Sequence, residues 1–291
     1  MAFLRERSGA LCPEKVVAFV GVLLPALWLL GRVWLNDLGP RPFTEAIHFV
    51  GDWTVRLLYL TLAVSPARRI FMAPRLILMR RTLGVATFAY ALLHLTLYVF
   101  DQRFDLAKVA SEIVLRFYLT IGFVALVGLI TLAATSFDRA VRYLGAQRWN
   151  QLHLLVYAIA VLAQIHFLLQ SKNDVWEPTL MLGFLTWLFG YRVLFAVTGE
   201  VTFARLVALA VASAGLTAAF ETAWYAFTTG VNAWMIFRAN FDFSYDIRPA
   251  CWVLAAGLAV AFASLLWRQR TTARRIWSRA FSGETGVQSA S

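Results

Sequence analysis

The chain has 291 residues, 60% of them apolar and only 15% charged, with a mean hydropathy of +0.66. That excludes an ordinary soluble domain, whose surface needs far more charge to stay solvated. The formal net charge of +11 does not point to nucleic acid, because the basic residues fall in short clusters between apolar runs, as membrane topology requires.

The first apolar run begins at Val16, behind Arg5, Arg7 and Lys15. It continues for about 20 residues with no small-residue cleavage signature, which is too long for a signal peptide and reads as a retained helix. Seven more runs of spanning length follow. The expected membrane segments are 16–35, 46–64, 82–100, 113–135, 151–170, 178–198, 203–228 and 249–267, with Pro25 a kink candidate in the first. Backbone groups in lipid must be satisfied within each segment, so the expected fold is an all-α, polytopic bundle of about eight transmembrane helices.

Lysine and arginine counts orient the bundle. Basic clusters occupy the N-terminal tail, the loop with Arg68, Arg69, Arg75, Arg80 and Arg81, the loop with Arg139, Arg142 and Arg148, and the tail with Arg268, Arg270, Arg274, Arg275 and Arg279. Intervening connectors are sparser and mixed in sign. The positive-inside rule therefore puts both termini in the cytoplasm. Cys12 and Cys251 then fall on opposite sides, which excludes an intramolecular disulfide and makes thiol redox work an unattractive reading. No inverted repeat of the transporter type is visible, nor any G-x-G-x-x-G. With only a short tail after Arg268, a fused flavin or nicotinamide domain is not expected, and reductant must come from another molecule.

Four histidines occur, and ionisable groups inside a membrane are costly enough to be functional candidates. His94 lies about 12 residues, or roughly 18 Å, into the third helix. His166 lies at a comparable depth in the fifth, which runs in the same direction. Two imidazoles at one level on parallel helices can sandwich a haem iron. His153 sits about 20 Å nearer the cytoplasmic end of the fifth helix, a spacing that suits two stacked haems. On an ideal helix, however, its side chain would point about 140° away from that of His166. Interhelical hydrogen bonding is the alternative for each. His48, at the periplasmic end of the second helix, reads as a wetted interfacial imidazole.

The stretches Arg148-Trp149-Asn150-Gln151-Leu152-His153, Tyr157, Ile165-His166-Phe167, Arg80-Arg81-Thr82-Leu83-Gly84 and Leu93-His94-Leu95-Thr96 carry a family resemblance. Ile47-His48-Phe49 and Arg116-Phe117-Tyr118-Leu119-Thr120 add to it. Over about residues 10–200 the chain resembles the MsrQ (YedZ) family, haem-binding membrane subunits within the ferric-reductase-like transmembrane family. The resemblance implies haem b (one or two), reported FMN binding, and electrons drawn from quinol in the quinone pool or from a flavin reductase. It implies delivery to a periplasmic molybdopterin methionine sulfoxide reductase, MsrP, which repairs oxidised proteins. The chain would then be an electron-transfer subunit rather than the catalytic one. Residues 1–200 would form a six-helix haem-binding domain, and residues 201–291 a two-helix extension whose basic tail meets lipid headgroups or a soluble reductase.

Ferric-reductase relatives carry paired histidines on both the third and fifth helices. Here the inner position on the third helix falls near Arg80 or Arg81. The resemblance therefore implies an outer haem on His94 and His166, and leaves His153 either as a ligand of an inner haem or as a contact to quinone or flavin. Arg56, inside the second helix, would pair with a haem propionate or with another helix. Arg80 and Arg81 would meet inner propionates, a flavin phosphate or lipid headgroups. Glu221, Arg116 and the interfacial tryptophans receive no role. Two further readings stay open: a ferric-ion or oxygen reductase, and a small-solute transporter using the buried histidines and Arg56 as a relay.

Overall fold

The computed structural model describes residues 11–172, 174–244 and 246–283, with backbone only at 268 and 270–283. Arg5 and Arg7, and the side chains of Arg268, Arg270, Arg274, Arg275 and Arg279, lie outside the described residues. The helices are α1 (Pro13–Trp34), α2 (Pro42–Ile70), α3 (Met79–Asp101), α4 (Leu106–Leu115), α5 (Phe117–Ala134), α6 (Asp138–His153), α7 (Leu155–Gln170), α8 (Trp176–Thr198), α9 (Phe203–Thr229), α10 (Ala233–Ala239) and α11 (Pro249–Gly283). A short 3-10 turn, Pro74–Leu78, precedes α3. No strand occurs among the described residues. Proline opens α1, α2 and α11, where its missing N–H costs nothing and its fixed φ favours the first helical turn.

All eight expected spans correspond to helical stretches long and apolar enough to cross a membrane. Their exposed faces, for example Leu23, Leu27, Leu30, Val124 and Val127, are those of a protein solvated by lipid. Three details differ from expectation. The second helix extends beyond 46–64 at both ends. The fourth segment starts at Phe117 rather than residue 113, because Arg116 is extended (φ −104°, ψ 104°) and separates α5 from α4. Asp105 caps α4 by accepting the Lys108 N–H at 2.9 Å. The fifth segment is α7, which begins only at Leu155. Ahead of it α6 bends at Gly145 (φ +76°), a left-handed conformation that suits glycine.

Two compact units divide the chain: residues 1–65 with 74–185, and 66–73 with 186–291. In the first, α1 packs on α3, α3 on α5, and α5 on both α4 and α7. Val22, Leu29, Val50, Leu57, Leu83 and Tyr90 form part of its buried core. Pro25 lies beside a local interruption of α1. The Tyr90 hydroxyl donates to the Val22 carbonyl at 2.7 Å and accepts from the Ala26 N–H at 3.0 Å, inserting itself into the i→i−4 ladder.

In the second unit, α9 packs along α11 through small side chains. A Cβ at Gly257 would come within 2.6 Å of the Ala210 Cβ, so the two backbones approach where neither carries bulk. Gly230 (φ +71°) ends α9 by returning its N–H to the Ala226 carbonyl. Glu221, 2% exposed, pairs with Arg248 at 3.3 Å.

Candidate functional site

His94 on α3 and His166 on α7 face each other with ring centres 6.3 Å apart and ring planes crossed at 87°. The two rings are held in the same way. His94 Nδ1 lies 2.8 Å from the Ile47 carbonyl of α2, and His166 Nδ1 lies 2.8 Å from the Tyr118 carbonyl of α5. A carbonyl only accepts, so each Nδ1 carries the proton and each Nε2 keeps its lone pair. That is the tautomer a metal-ligating imidazole adopts when its other nitrogen is fixed by a backbone carbonyl.

Each carbonyl is followed four residues later by a glycine that lies under the imidazole. A Cβ at Gly51 would sit 3.1 Å from His94 Cε1 and Nδ1, and one at Gly122 would sit 2.8 Å from the same atoms of His166. Tyr118 also lies roughly parallel to His166, its ring centre 6.4 Å away. The stretches around Ile47 and Tyr118 are among those that carry the family resemblance. Their part in the site is invisible from residue type, since it is played by main-chain oxygens. Gly51 and Gly122 are visible in the sequence, but nothing in it sets them apart from the other glycines of the chain.

His153 is placed differently. It ends α6, where the ladder tightens: Leu154 N–H bonds to the Gln151 carbonyl and Tyr157 N–H to the Leu154 carbonyl, both i→i+3. The 140° offset expected on an ideal helix therefore does not apply, because the segment from 153 to 166 is not one uninterrupted α-helix. The His153 ring stacks on Trp149 at 3.9 Å, and its Nε2 lies 3.3 Å from the Thr135 hydroxyl. Trp149 Nε1 donates to the Thr135 carbonyl at 2.8 Å. His153 and Trp149 wall a cavity of about 480 Å³, which Arg80, Arg81, Gly84 and Asn150 also line. Arg81 additionally pairs with Asp138 at 2.6 Å.

Arg56 is paired across helices. Its guanidinium contacts the Glu177 carboxylate at the start of α8 and lies 5.1 Å from the centre of the Trp53 ring. His48 is exposed and lies outside the paired rings. Arg116 pairs with Glu112 at 3.1 Å and donates to the Tyr118 hydroxyl at 3.3 Å.

Residues 50–164 match the family described as "Ferric reductase like transmembrane component". A protein of Polaromonas naphthalenivorans named "Protein-methionine-sulfoxide reductase heme-binding subunit MsrQ" is 41% identical over 182 residues, 62% of this chain and 83% of that protein. The chain belongs to the MsrQ family. The MsrQ of Rhodospirillum rubrum is 39% identical over 194 residues, covering 66% of this chain and 91% of its own length. That of Xanthomonas campestris pv. campestris strain B100 is 38% identical over 209 residues, with coverage of 69% and 95%. No solved structure matches. The ferric-reductase match takes in His94, His153 and both seating glycines, and stops two residues short of His166.

Proposed function

We propose that His94 and His166 are the axial ligands of a b-type haem, and that the chain is the electron-transfer subunit of a methionine sulfoxide reductase system in the bacterial inner membrane. The observation that carries this reading is the pair of facing imidazoles, each with Nδ1 tied back and Nε2 free. Two metal–nitrogen bonds of about 2 Å, with the imidazole rings beyond them, call for ring centres about 6 Å apart, and the rings stand at 6.3 Å. Among the described residues no group of three or more His, Cys, Asp or Glu forms a cage for a bare ion. Two facing imidazoles would hold a metal that brings its remaining nitrogens with it, as haem iron does. Haem b supplies a one-electron iron couple, and the protein contributes ligation, burial and spacing.

The second cofactor position is the cavity at His153. Arg80 and Arg81 offer positive charge to propionate or phosphate, Trp149 and His153 offer a flat wall, and about 480 Å³ is within the range of small-molecule sites. An inner haem, FMN and a quinone head all meet this description. With the termini cytoplasmic, this cavity faces the donor side, quinol or a flavin reductase, and the His94/His166 pair faces the periplasmic partner MsrP. Residues 1–200 act as the haem-binding domain and 201–291 as an extension of it.

The absorption spectrum of protein purified after haem-replete expression is the test. We expect reduced b-type bands in the wild type, one haem per polypeptide fewer in His94→Ala and His166→Ala, and an unchanged haem content in His48→Ala. A colourless wild type, or a haem content per polypeptide that neither ligand substitution lowers, overturns the assignment. Reoxidation of the reduced protein by the periplasmic reductase only when methionine sulfoxide is supplied tests the partner.

A further inference from the structure

The carbonyls of Ile47 and Tyr118 lie inside helices, where each already has an expected partner in the N–H four residues on. An imidazole N–H reaches such an oxygen only through its second lone pair, by lying over the next turn. A helical Cβ tilts toward the helix N-terminus, so the residue four positions after the carbonyl ordinarily fills that space. At both seats that residue is glycine, Gly51 under His94 and Gly122 under His166. Elsewhere the same chain carries glycines with no such duty: a Cβ at Gly21 or Gly31 of α1 would meet nothing within 4 Å.

We propose that Gly51 and Gly122 are positioning residues that fix the Nδ1–H···O=C bonds and crossed planes of His94 and His166, and thereby tune the haem iron. The inference rests on the axial-ligand assignment above. The bond from Nδ1–H to a carbonyl gives the imidazole more donor character, which favours ferric iron. The 87° crossing leaves the two iron orbitals that bond with the rings nearly equal in energy, the origin of a strongly anisotropic low-spin ferric signal. A methyl group at either seat pushes the ring off its carbonyl. The bond weakens, the ring rotates, and the ferrous state gains. Gly122, where the Cβ would stand at 2.8 Å, is the tighter seat, and Gly51 at 3.1 Å the more forgiving one.

The experiment compares wild type, Gly51→Ala, Gly122→Ala and Gly21→Ala in the full-length, haem-loaded protein. It reads haem content, the ferric electron paramagnetic resonance spectrum and the midpoint potential. Wild type and Gly21→Ala should share a strongly anisotropic signal. Gly51→Ala should keep its haem with reduced anisotropy and a higher potential. Gly122→Ala should show a larger change of the same sign, or lose haem while remaining monodisperse. If both seat variants retain the wild-type signal and potential, the inference falls and the ligation stands. A wild type with no low-spin haem signal overturns the ligation, and the inference with it.

Discussion

The Tyr59 hydroxyl donates to Gln164 Oε1 across 2.7 Å, and Gln164 Nε2 donates in turn to the Pro178 carbonyl at 2.9 Å. Gln164 is 2% exposed and stands two residues before His166. One amide thus joins α2, α7 and the first turn of α8. It accepts from a phenol that has no water to turn to, and adds a second donor to a proline carbonyl on the α8 first turn that already faces the N–H four residues on.

Replacing Gln164 with leucine keeps the volume, leaves the Tyr59 hydroxyl without its acceptor and removes the second donor to the Pro178 carbonyl. Each lost buried polar contact costs about 1–3 kcal/mol, toward the low end in a membrane, where interhelical hydrogen bonds average about 0.6 kcal/mol. We expect a lower melting temperature in detergent with the haem spectrum kept at low temperature. An unchanged melting curve would show that the network is incidental.

Tyr90→Phe removes the hydroxyl that bridges Val22 and Ala26 beside Pro25. The ring still fills its core position, so the loss is confined to two hydrogen bonds, about 1–2 kcal/mol in all. Thermal unfolding should register this, and Tyr143→Phe, 89% exposed on α6, makes a comparison for the general effect of removing a tyrosine hydroxyl.

Arg56→Ala leaves the Glu177 carboxylate facing Asp52, which lies within electrostatic reach of both residues, with no cation between them. The pair is partly exposed, 32% and 27% by side chain, so we expect a cost of about 1–3 kcal/mol, between surface and fully buried ion pairs. Adding Glu177→Gln should restore part of the stability. Additive losses in the double variant would mean that the ion pair is not the source.

His153→Ala should spare the signal of the crossed imidazoles, since His94 and His166 are seated by α2 and α5 without it. It should lower the content of any second cofactor in the Arg80/Arg81 cavity, measured as haem and FMN per polypeptide. Loss of the His94/His166 signal in this variant would mean that the two positions are not independent.

Much of this was legible in the sequence. Every one of the eight spans was readable because a bilayer asks one crude question of a segment, whether about 20 residues can be desolvated together. The shared depth of His94 and His166 followed from helical rise alone. The MsrQ relationship lay in short polar islands such as Arg148-Trp149-Asn150 that apolar composition cannot explain.

What had to await the tertiary structure were relationships made by main chain and by distant partners. Arg56 could not announce Glu177, 121 residues away, because two opposite charges in a sequence have no distance until helices pack. The break at Leu154 came from i→i+3 bonding that helix periodicity does not encode. Depth put two imidazoles at one level, but their 6.3 Å spacing and crossed planes were decided by two carbonyls and two glycines on other helices. A carbonyl is present at every residue, and only packing determines which one an imidazole meets.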